Sequence, residues 1–120
     1  MHYSMENHKH ISVQTSDNVT LTIEIKEHFS PDLSVFLWPA SYVLSCYLAS
    51  QRDQFEDKTL LEIGAGIGLP SLVGGKLCSA KQIYISDRAN EPTTFDLITT
   101  NIALNNLQDI CKAVRNIYVT

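Results

Sequence analysis

No uninterrupted apolar stretch approaches the ~20 residues needed to span a bilayer, and the polar start from Met1 to His10 lacks the apolar core of a secretory signal. Positive charge is in short supply. Nine Lys and Arg stand against 13 Asp and Glu, a formal charge of −4, and no basic run interrupts that balance. Such a chain has no global field to gather nucleic acid or acidic lipid, so neither nucleic acid nor membrane is expected as a direct partner. Cysteine is scarce: Cys46, Cys78 and Cys111 are odd in number, far apart and without a CxxC pair. That fits a reduced compartment, cytoplasmic or nuclear, better than a disulfide framework. His2, His8 and His10 lack a companion cluster of Cys or carboxylate at ligand spacing, so no metal site is predicted. Internal repeats and low-complexity tracts are missing as well.

What is present, 44% hydrophobic and 18% charged residues in a chain of 120, describes one ordinary globular domain. It divides into a polar leader at 1–10, a hairpin and first helix at 11–57, and a βαβαβ half-sheet at 58–120. Ile11-Ser12-Val13 and Val19 to Ile25 alternate apolar and polar residues around the turn-forming Thr15-Ser16-Asp17-Asn18, which predicts a β-hairpin with one dry face. Trp38-Pro39 then opens a helix over ~39–51, with Ala40, Val43, Leu44, Tyr47 and Leu48 as its apolar face. Thr59 to Ile63 reads as a strand. Leu69 to Leu77 reads as a helix in spite of Pro70 and the pair Gly74-Gly75. Gln82 to Asp87 is a second strand, Glu91-Pro92 to about Asn106 a further helix, and Ala113 to Val119 a third strand. That alternation implies an α/β fold with parallel strands joined by right-handed crossovers.

The chemistry is concentrated between Leu60 and Asp87. Gly64-Ala65-Gly66-Ile67-Gly68 leaves the first strand at once. A turn there needs positive φ and close approach to a ligand, and glycine gives both without strain. The following helix offers unpaired N–H groups and the positive end of its dipole to a polar or anionic group. Asp87, at the carboxyl end of the neighbouring strand, can accept hydrogen bonds from two ribose hydroxyls, and ligands of such sheets bind outside those strand ends. A nucleoside-bearing ligand is indicated. A dinucleotide fingerprint would place its third glycine at position 69, where Leu69 stands; the pattern is GxGxG, with Glu62 two places ahead. Each residue also has a structural role open to it. The glycines can be the turn of a plain βα unit, Glu62 a surface charge, and Asp87 a helix N-cap. Trp38 divides between packing the first helix and lining the pocket, while Asn101, Asn105 and Asn106 fall near a helix end, where asparagine caps.

The acid-x-GxGxG pattern resembles the first motif of the seven-strand methyltransferases that bind S-adenosylmethionine. Trp38-Pro39-Ala40, Cys46-Tyr47-Leu48, Leu61 to Gly66, Ser86-Asp87 and Asn101 to Leu107, in that order, are similar to the family-16 protein methyltransferases. The resemblance implies the first half of a doubly wound, Rossmann-like sheet of strand order 3-2-1-4-5-7-6. It also implies S-adenosylmethionine held by Trp38, Glu62, Gly64, Ala65, Gly66 and Asp87, with Glu62 either accepting from the cofactor's amino group or ordering the loop. The implied substrate is a protein, a histone or a chaperone, methylated on lysine or arginine. The motifs of the family's fourth strand, with their substrate-facing acid and aromatics, are not in the sequence, so no catalytic residue is nominated and the single domain is expected to be incomplete. The first strand would then be an edge, with Leu60, Leu61 and Ile63 short of cover. A truncated, inactive isoform acting as a binding or regulatory module is one alternative. A nicotinamide-dependent oxidoreductase is another, disfavoured by Leu69.

Overall fold

The computed structural model describes residues 5–31, 33–87 and 92–115. Strands β1 (Met5–Gln14) and β2 (Thr20–Phe29) pair antiparallel, from Met5 opposite Phe29 to Gln14 opposite Thr20. The hairpin is longer than the alternation predicted, and residues 5–10 of the expected leader are strand. Their polar side chains have partners across the pair. Lys9 Nζ lies 3.0 Å from Glu27 Oε1, and Asn7 Nδ2 donates to the same oxygen at 3.0 Å. The Leu37 N–H donates to Glu27 Oε2 at 2.7 Å, which ties the segment leading to the first helix onto the hairpin. Burial alone would raise the Glu27 carboxyl, but these donors outweigh it and hold the group below its ordinary range.

Helix α1 (Pro39–Ser50) begins at Trp38-Pro39 as expected, yet its buried residues are Ser45 and Ala49. Val43, Leu44 and Tyr47, expected on the apolar face, are exposed. The neighbouring element explains the rotation. Helix α1 packs on α2 (Leu69–Leu77) with the small Ser45 and Ala49 buried, which lets the two axes approach; Leu48 is partly buried against the core, and Val43 and Tyr47 turn outward.

Strands β3 (Thr59–Glu62), β4 (Gln82–Ser86) and β5 (Cys111–Val114) form a parallel sheet in that order, with α2 and α3 (Pro92–Leu104) as the crossovers. Strand β5 starts two residues before the expected Ala113, because Ile110 O already accepts the Ile83 N–H at 2.9 Å. Residues 116–120 and Glu91 lie outside the described residues. On one face Leu60, Ile83 and Cys111 stand in register, followed by Ile85 and Ala113. Helix α2 lies close against that face at Gly75, where a Cβ would come within 3.1 Å of Cys111 Sγ and of Leu107 Cδ1. The glycine pair that weakens the helix by propensity is what lets it seat. Burial, and then the Glu62 charge, push the Cys111 thiol up to about 11.

The other face carries Leu61, Tyr84 and Lys112 in register. It is bare: Leu61 is 50% and Ile63 61% exposed. Two of the three side chains expected to lose cover do so, while Leu60 keeps contact with α2 and faces a small apolar cavity with Leu44 and Leu48. The two faces should therefore answer differently to substitution. Ile85→Ala should cost about 2–5 kcal/mol in urea unfolding, whereas Leu61→Thr should stay within about 1 kcal/mol. Equal losses would mean that the outer face is covered in solution.

Candidate functional site

The turn after β3 holds its shape through bonds to the neighbouring strand. The Ala65 N–H donates to Ser86 O at 3.0 Å, and Ser86 Oγ donates to Glu62 O at 2.9 Å. Next, the Gly66 N–H donates to Asp87 Oδ2 at 2.7 Å. The loop's backbone is left-handed at Gly64 (φ 69°), Gly66 (φ 59°) and Gly68 (φ 85°). A side chain at Gly66 would be strained in that conformation, and one at Gly64 would project into open space with nothing within 4 Å. The loop is thus a turn of left-handed glycines held by an acid at the carboxyl end of β4.

Helix α2 starts in an unusual way. Its N-cap, Gly68, has no side chain to satisfy the first-turn donors, and Pro70 has no N–H to offer. Glu62 serves instead: its Oε1 accepts from the Ser71 N–H at 3.2 Å and from Ser71 Oγ at 2.5 Å. A carboxylate at a helix N-terminus is favoured by the dipole. Burial beside the apolar cavity of Leu44, Leu48, Leu60 and Pro70 works the other way. That desolvation dominates, Asp87 adds repulsion, and together they outweigh Ser71, so the Glu62 carboxyl sits above its ordinary range.

A second clamp comes from α3. Asn101 is fully buried; its Oδ1 accepts the Lys26 N–H at 2.7 Å, and its Nδ2 donates to Lys26 O at 3.1 Å and to Ile67 O in the loop at 3.2 Å. Asn105 repeats the pattern on Glu24, accepting its N–H at 3.0 Å and donating to its carbonyl at 2.7 Å. Asn101 is not the helix-end cap that its position suggested, whereas Asn105, just past Leu104, also donates to Asn101 O in the last turn at 2.8 Å, as a cap does.

The structure brings Glu62, Gly64, Ala65, Gly66 and Asp87 together. Trp38 is elsewhere in emphasis: it is 57% exposed and its ring tilts against Phe36 at 4.5 Å. Its segment does pass the loop, since Val35 Cγ1 lies 4.0 Å from where a Gly66 Cβ would be. Sequence reasoning missed Ser71, Ser86 and the role of Asn101. A signal for the last was present: Asn101 lies among Phe95, Ile98 and Ile102 on the apolar face of its helix, where an amide must find partners.

A lysine methyltransferase family matches residues 15–116. The histone-arginine methyltransferase METTL23 of Xenopus laevis is 33% identical over 91 residues, covering 76% of this chain and 38% of the relative. The protein N-terminal and lysine N-methyltransferase efm7 of Neurospora crassa is 34% identical over 94 residues, 78% of this chain and 32% of the relative. This chain thus spans less than two-fifths of the length of either. Among solved structures, Trm5 of Methanocaldococcus jannaschii in complex with adenosine superposes with a TM-score of 0.59 at 18% identity, over 92% of this chain and 30% of that one. That likeness shows a Rossmann-like fold.

The raised Glu62 carboxyl has a pH signature. Its folded value lies above the ordinary 4.5, so its contribution is intact below that pH and is lost as pH rises through the raised value. Glu62→Gln keeps an acceptor for Ser71 and removes the charge. Its urea midpoint should gain on that of the parent chain as pH rises from about 4.5 towards 8, and parallel curves would count against a buried, penalised charge.

Proposed function

Because the chain belongs to the lysine methyltransferase family over residues 15–116, we propose that it forms the S-adenosylmethionine-holding half of a protein methyltransferase. The observation that carries this reading is the Asp87–Gly66 hydrogen bond at 2.7 Å, which fixes an acid beside a glycine loop at the carboxyl end of a parallel strand. The residues present fit the cofactor. Asp87 holds the loop and, in this reading, is the acceptor for the ribose hydroxyls at the carboxyl end of β4. Open backbone at Gly64 and Gly66 permits close approach of a ligand that no side chain would allow. Glu62 supports the site chiefly from behind, by anchoring the start of α2 through Ser71; a bond to the cofactor's amino group would be its second task. Trp38 follows Val35, which lies beside Gly66, and its place in the cofactor pocket rests on the family resemblance.

When bound, S-adenosylmethionine supplies a methyl group activated by its sulfonium sulfur. The chain supplies position, and in such a transfer position and exclusion of water are most of what a protein can give. The acceptor we propose is a lysine or arginine nitrogen of a protein, a histone among the candidates. The named activities of the relatives support this. A cytoplasmic or nuclear site of action belongs to the same proposal, supported by three cysteines that stay unpaired. The exposed Leu61, Ile63 and Tyr47 favour one second reading, a binding or regulatory module without turnover.

Calorimetric titration separates these readings. The chain should bind S-adenosylhomocysteine in preference to NAD, and Asp87→Ala should weaken that binding by about tenfold to a hundredfold, the loss of one charge-assisted acceptor worth roughly 1.5–3 kcal/mol. Tighter binding of NAD would reject the cofactor assignment. Binding of neither would favour the module.

A further inference from the structure

Asn101 and Asn105 are near-duplicates with one difference. Both pair with the outer edge of β2 as donor and acceptor, Asn101 on Lys26 and Asn105 on Glu24. The remaining bond of Asn105, just past the end of α3, returns to Asn101 O on that helix at 2.8 Å, whereas that of Asn101 reaches Ile67 O in the glycine loop. Ile67 C=O and Gly68 N–H belong to a single planar peptide unit. Asn101 Nδ2 holds one end of that plane at 3.2 Å, and Ala65 O accepts from the other end at 3.0 Å. The plane is therefore fixed at both ends, with one of the two restraints coming from the residue that also grips the hairpin.

Resting on the cofactor reading above, we propose that Asn101 is a positioning residue that couples the hairpin to the glycine loop, so that the seating of β2 sets the loop's affinity for S-adenosylmethionine. Without the Nδ2–H bond, Ile67 O loses a buried donor and its peptide plane is free to turn. Apparent affinity then falls in proportion to the fraction of molecules whose loop is competent. The same bonds make the coupling reciprocal: a ligand that fixes the loop also fixes Asn101, and through it β2. Strand β1 ends at Gln14, ahead of the family-matched residues 15–116, so the whole strand paired with β2 lies outside the family match.

The test compares Asn101→Leu with Asn105→Leu in the full chain. Both should lower the melting temperature, since each loses two bonds to β2. Only Asn101→Leu should weaken S-adenosylhomocysteine, by about tenfold when measured well below melting, and speed amide hydrogen exchange at Ala65 to Gly68 in the unliganded chain. Asn105→Leu should leave affinity within about twofold and loop exchange unchanged. Equal effects of the two substitutions on affinity and loop exchange would overturn the proposal. Should Asn101→Leu fail to fold, the unsubstituted chain still decides: ligand should slow exchange of the Lys26 amide, and an unchanged Lys26 amide would overturn the coupling. If the parent chain binds no S-adenosylhomocysteine, the cofactor reading falls, while the exchange comparison of the unliganded variants still decides whether Asn101 holds the loop.

Discussion

A strand edge must find partners for its outward N–H and C=O groups, and β2 finds them in two side chains at Glu24 and Lys26 and in the Val35 backbone at His28. Asn101 and Asn105 are four residues apart on a helix, a rise of ~6 Å, while Lys26 and Glu24 are two apart on a strand, ~6.7 Å. The two repeats nearly coincide, so both carboxamides engage at once, each mimicking a peptide group. Among the described residues the hairpin and the parallel sheet share no strand pairing. These bonds, with the apolar core around Ile23, Ile25 and Ile67, set how the two halves sit together.

The site is assembled from groups that serve their neighbours first. Gly68 is needed for the turn and has no side chain with which to cap α2, so Glu62 reaches across from β3 to do it. Asp87 closes the loop on Gly66 before any ligand is considered. An acid used in this way is held in one orientation by the fold itself.

Local chemistry made most of the fold legible. The boundaries of α2 could be read from the sequence because the glycine turn, proline and apolar run all signal a helix start within a few residues. The face of α1 could not, because hydropathy ranks Val43 and Leu44 above Ser45 and Ala49, and only the nearness of α2 makes small size the deciding property. Strand residues 5–10 read as polar leader since Glu27, their buried partner, lies some twenty positions away in the chain. In the site, Asp87, the glycines and the segment from Asn101 were visible as motifs, but the role of Asn101 was not: its partners are separated from it by 34 and 75 residues. Position along the helix suggested a cap, and the side chain's contacts depend on the closed fold.

The bare face of the parallel sheet has a thermodynamic consequence. Leu61, Ile63 and Tyr84 already meet water in the folded chain, as do Val43 and Tyr47 on α1, so unfolding hydrates less new apolar surface than a fully covered domain of this length would. Heat capacity of unfolding and the denaturant slope both scale with that surface. This chain should fall below the usual ~12–15 cal/mol/K per residue, and its stability curve should be correspondingly flat with temperature. Anything that covers those side chains steepens the curve, so its curvature reports how much of the sheet is clothed.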